Sequence, residues 1–134
     1  MSTPPPPGPS VPPPGGYGAP QPTPPMNPGD ERTWATLLHL SPLVVGFWGP
    51  LIGYLVLRER GPFIRAHTAT ALNFTLTMLI AYVAVGILCI PTFGIAAILF
   101  LPLVVVDLVF RIVAAMAAYR GQWYSYPATI AFVR

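Results

Sequence analysis

The sequence predicts an all-α fold: a small polytopic bundle of transmembrane helices behind a disordered, proline-rich N-terminal tail. Three observations predict it. The chain is 54% hydrophobic and only 8% charged, where a soluble domain carries about 25% charge. Its apolar runs are long enough to cross a hydrocarbon core of about 30 Å. Most of its 19 prolines are gathered ahead of Asp30, where they bar helix and sheet hydrogen bonding. The charge pattern excludes a nucleic-acid partner: the net charge of +3 comes from scattered arginines, and no dense basic face forms. Cys89 is the single cysteine, so no internal disulfide is possible.

Residues 1–30 form the tail. It has almost nothing apolar to bury and reads as a polyproline-II-biased spacer. Pro4-Pro5-Pro6-Pro7 and Pro12-Pro13-Pro14 are of the kind that docks into aromatic-lined grooves. The tail lacks the basic and apolar regions of a secretory signal.

Residues 31–134 form the membrane domain. The uncharged run 33–57 is broken by Pro42, Gly46, Gly49-Pro50 and Gly53. It supports two readings. One is a single pass kinked at Pro50, whose ring leaves the carbonyl of Gly46 without its donor. The other is a re-entrant hairpin, with a short helix to Phe47, a break at Gly49-Pro50 and a second short helix to Leu57. A charged turn, Arg58-Glu59-Arg60-Gly61-Pro62, follows. The run from Ala66 to Val106 is about twice the length of one pass, and Pro91-Thr92-Phe93-Gly94 interrupts it. It therefore predicts two helices, about 63–89 and 94–119. Their many alanines suit close packing in lipid and leave faces for partners. Arg120-Gly121 supplies a basic residue and a C-cap glycine. Segment 121–134 carries Trp123, Tyr124 and Tyr126. It reads as an interfacial aromatic stretch lying along the headgroups. With three passes, the arginine distribution places the first turn and the C-terminus in the cytoplasm and the tail outside. The hairpin places both ends inside.

Five polar residues at membrane depth are the candidate structural or transport residues: His39, His67, Asn73, Asp107 and Arg111. Asp107 and Arg111 stand four apart, the spacing of a same-face ion pair; a proton relay through Asp107 is the alternative. In the three-pass arrangement Asn73, Arg111 and Gly49 all lie about 12–14 Å from the cytoplasmic ends of their helices. Asn73 and Arg111 would then satisfy the carbonyl that Pro50 leaves free, a polar knot joining three helices. His39 would pair across helices. His67 would sit at the interface, beside Glu59. At such different depths the two histidines make poor co-ligands. No metal, cofactor or catalytic set is read from the sequence.

Several motifs carry a family resemblance. They are Glu31-Arg32-Thr33-Trp34-Ala35 with His39-Leu40-Ser41, Gly49-Pro50-Leu51-Ile52, Pro62-Phe63 with His67, Ala71-Leu72-Asn73-Phe74, and Tyr124-Ser125-Tyr126-Pro127-Ala128-Thr129-Ile130. In these the chain resembles small bacterial membrane proteins regarded as distant relatives of the twenty-kilodalton subunit of the chloroplast Tic translocon. That resemblance implies a role related to protein translocation. The expected function is a non-enzymatic subunit or scaffold of an envelope complex in the bacterial cytoplasmic membrane, with protein partners or further copies of itself. The alternative is a small homo-oligomeric transporter with a polar path near Asp107 and Asn73.

Overall fold

The computed structural model describes residues 22–134. Residues 1–21 of the expected tail, with the proline runs, lie outside the described residues; of its remainder, 22–27 form no helix or strand and α1 already begins at Pro28. The elements run α1 (Pro28–Leu40), α2 (Pro42–Val45), α3 (Trp48–Leu57), α4 (Pro62–Cys89), a 3-10 segment (Ile95–Leu99) and α5 (Phe100–Tyr119). Among the described residues there is no strand.

The run 33–57 is not one kinked helix. Asn27 caps α1, its side chain accepting the Asp30 N–H at 2.9 Å. Pro42 then interrupts the ladder, and the Ser41 hydroxyl donates to the Leu38 carbonyl at 2.9 Å in place of the N–H that Pro42 lacks. Gly46 makes the turn, at φ +61 and ψ −146, a backbone region that suits glycine alone. Pro50 breaks nothing, because it falls in the first turn of α3, where its N–H would have no helical partner. The carbonyl of Gly46 is instead taken by the N–H of Gly49 at 3.3 Å. The chain doubles back, and α3 lies against α1. A side chain at Gly53 would strike Leu38, and one at Gly49 would strike Ser41.

The hairpin brings the start of α1 beside the start of α4. The buried Glu31 carboxylate accepts the N–H of Ile64 at 3.0 Å, capping α4 across the chain. The N–H of Met26 donates to the carbonyl of Arg60 at 2.6 Å. At the same end α5 closes in a Schellman motif. Gln122 N–H donates to Ala117 and Gly121 N–H to Ala118, both at 2.9 Å, and Gly121 takes φ +71. The guanidinium of Arg32 packs over that glycine. Arg32, Arg58, Arg60, Arg65 and Arg120 thus share one end of the molecule, the basic end. The three-pass arrangement, with tail and first turn on opposite sides, is overturned.

Two helices, Pro62–Cys89 and Ile95–Tyr119, are long and apolar enough to cross a membrane. The core helix of a soluble protein would be mostly covered, yet only 33% and 11% of their most apolar windows are buried within the chain. Apolar side chains face outward along both, from Val83 and Ile87 to Leu101 and Val105. A solvent of hydrocarbon accounts for that surface. Some of the alanines are used inside the chain, while Ala84 and Ala97 stay exposed. Ala35, Ala114 and Ala118 are completely buried, where α1 packs against α4 and α5.

Candidate functional site

The polar residues expected at depth meet inside the bundle, in an arrangement the sequence did not foretell. His39 comes from α1, His67 from α4 and Tyr126 from the segment after α5. All three are buried. The Nε2 of His39 lies 2.9 Å from Nδ1 of His67, and its Nδ1 lies 2.9 Å from the Tyr126 hydroxyl. The Nε2 of His67 lies 3.0 Å from the carbonyl oxygen of Gln122. That carbonyl fixes every role in the chain, because it can only accept. His67 must donate from Nε2, so its neutral ring presents a bare Nδ1. His39 must then donate from Nε2 and accept at Nδ1 from the Tyr126 hydroxyl. The result is a one-directional wire: Tyr126 to His39 to His67 to Gln122. All four ring nitrogens are engaged.

This corrects two expectations. His67 does not sit beside Glu59, and the two imidazoles are in direct contact. A full pass would count the depth of His39 back from Leu57, far from His67. With the hairpin α1 and α4 start side by side, and the two rings reach each other although His39 stands eight residues past Glu31 and His67 three past Ile64, about 12 Å and 4–5 Å along their helices. A buried ring needs partners for both nitrogens, and that need was the available signal for the pair. Tyr126, expected at the interface, is buried instead, and no pattern in the sequence marks Gln122.

Asn73 is likewise placed differently. It does not serve the hairpin. Its Oδ1 accepts the N–H groups of Phe132 and Val133, each at 2.9 Å, and its Nδ2 donates to the carbonyl of Val133 at 2.8 Å. Thr77 Oγ1 accepts the Ile130 N–H at 3.1 Å, and the Tyr54 hydroxyl donates to the carbonyl of Arg134 at 3.2 Å. Segment 122–134 therefore does not lie along the headgroups. It climbs the face of α4 as far as Thr77 and returns, its backbone held by side chains.

Arg111 is buried and Asp107 half-buried. Arg111 Nε lies 2.8 Å from Asp107 Oδ1, but the N–H does not point along that line, so the contact is an ion pair without a straight hydrogen bond. Arg111 Nη1 donates to Thr75 Oγ1 at 3.2 Å. Its guanidinium carbon stands 5.2 Å from the centre of the Phe74 ring, which also stacks on Tyr126 at 3.9 Å. The pair borders a cavity of about 180 Å³ under the hairpin turn, which Phe47, Met78 and Tyr82 also line. Among the described residues no group of three His, Cys, Asp or Glu side chains is placed to hold a metal ion.

Two outward-facing apolar helices fit to cross a membrane, and a seam of mostly paired polar groups between them and α1, mark the class of small helical membrane proteins. The chain belongs to the magnetosome magnetite crystal formation protein family, MamF/MmsF, which it matches over residues 30–133. No curated protein and no solved structure matches it. The family match overturns the resemblance to relatives of the Tic subunit. The motifs that carried that resemblance, from Glu31 to Ile130, all lie within the matched residues, and the translocation role it implied falls with it.

Proposed function

We propose that this chain is a non-enzymatic membrane protein that takes part in magnetite crystal formation, the process its family's name states. The family match over residues 30–133 carries that reading. In this proposal α4 and α5 cross the bilayer, and α1 to α3 enter and leave on the basic side, which faces the cytoplasm. The turn at the far end exposes Ile90, Phe93 and Ile95 and has no carboxylate to hold a metal or a mineral surface. Most of the interior polar groups pair with one another. In this proposal the chain acts through the membrane and through protein partners.

The test is deletion of the coding gene in its own host, grown with ample iron, followed by electron microscopy of membrane-bounded crystals. Fewer or smaller crystals, restored by the intact gene, are expected. Unaltered crystals, or a host that forms none under these conditions, would refute the proposal.

A further inference from the structure

The membrane-embedded part is not a cylinder. At the basic end α1, α3, α4, α5 and segment 122–134 lie side by side. The hairpin turn reaches the level of Met78 to Tyr82, where Pro42 and Phe47 line the cavity with them. Segment 122–134 reaches Thr77. Tyr82 packs on Phe100 at 6.1 Å, and beyond that contact only α4, α5 and their connection continue. A helix with its side chains is about 10 Å across, so two additional helices widen the basic half by roughly 150 Å².

The breadth is fixed. Glu31 on the N–H of Ile64 and His39 on His67 tie α1 to α4. The hairpin also stops inside the hydrocarbon. Its turn exposes Leu43, Val44 and Val45, with Val44 88% exposed, and carries no charge that could anchor it at a far surface. It therefore displaces lipid mainly from one leaflet. Arg32, Arg58, Arg65 and Arg120 are exposed at the broad end. They favour the headgroup region, which holds the wedge at a constant depth.

We propose that the chain is a one-leaflet wedge whose preferred partner is a bilayer curved convexly on the basic side. A flat bilayer must crowd its lipids around the broad end, and convex curvature opens that leaflet. Proteins inserted into one leaflet respond to curvature for this reason. The proposal rests on the re-entrant topology and not on the mineral role.

The test uses the full chain with Ser10→Cys in a Cys89→Ala background, reconstituted into giant vesicles of zwitterionic lipid. An impermeant thiol dye applied outside marks only copies whose basic end faces out; the same dye enclosed in the vesicle marks the opposite set. A thin tether is pulled, and protein fluorescence relative to lipid is compared between tether and parent vesicle. Outward-facing copies are expected to be enriched severalfold on the tether and inward-facing copies depleted. A ratio at or below unity for outward-facing copies, or the same sign for both sets, would overturn the proposal. Sidedness of Ser10 in intact cells reads the topology separately, so equal densities count against the wedge alone.

Discussion

Asn73 holds two backbone donors and one acceptor of residues 132–133 with a single amide. Leucine has a similar volume and none of that capacity. Leaving a buried donor or acceptor unpaired costs about 1–3 kcal/mol, and partial exposure of this segment moderates the sum. Asn73→Leu should destabilise the fold by about 2–3 kcal/mol. In detergent this appears as a lower Tm, together with faster trimming of the C-terminus by carboxypeptidase. A variant with unchanged Tm and trimming would show that the clamp holds nothing. The histidine wire makes a sharper claim. Nitrogen-15 shifts should report both imidazoles protonated at Nε2 and bare at Nδ1. Tyr126→Phe keeps the ring stacked on Phe74 and removes only the hydroxyl, so the hydrogen-bond shift at His39 Nδ1 should vanish. Stability should fall by about 1–3 kcal/mol, and an unmoved His39 resonance would rule out the bond. At this scale the sequence named the polar residues but could not pair them. Asp107 and Arg111 are exceptions, because four residues along one helix is a local distance. His39 with His67, and Asn73 with Val133, are partners set by topology.

The hairpin depends on two glycines for different reasons. Gly46 takes a backbone conformation that other residues reach only at about 1–3 kcal/mol. A Cβ there would meet nothing within 4 Å, so Gly46→Ala tests conformation without a clash. A loss in that range is expected in detergent unfolding. Gly53 is a matter of space. Its added methyl would run into Leu38, which is buried against Ala35, Ile64 and Ala118. Gly53→Ala should cost about 1–3 kcal/mol by overpacking. Leu38→Ala should cost about 2–5 kcal/mol by leaving a cavity. The double variant should be less destabilised than the two together, with a coupling of about 0.5–3 kcal/mol. Strict additivity would mean that α1 and α3 do not meet here. The helical class was readable from length and apolarity. The place of the turn was not, because proline is a breaker only inside a helix. Pro50 opens α3 harmlessly, while Gly46, one glycine among several in this run, turns the chain by its φ.

For the whole molecule the decisive contact is Glu31 on the N–H of Ile64. Sequence separation hides it, yet it decides which side of the membrane the first residues occupy. A single kinked pass would carry Asp30 and Arg32 to the face opposite Arg58 and Arg60. The hairpin returns them to the same face, so that Arg32, Arg58, Arg60, Arg65 and Arg120 all count toward one side. Every lipid-accessible arginine near a helix end then obeys the positive-inside rule, and none opposes it. The tail should accordingly be cytoplasmic. With Ser10→Cys in a Cys89→Ala background, an impermeant thiol reagent should leave intact cells unlabelled and react fully once the cells are lysed. The tail's lack of charge puts little electrostatic barrier in the way of export, so protection would reflect the anchoring of α1 beside α4 and not an inability to cross. Labelling of intact cells would place Ser10 and the first turn on opposite sides. The carboxylate of Glu31 could not then reach Ile64, and the hairpin, the histidine wire and the one-leaflet wedge would fall together.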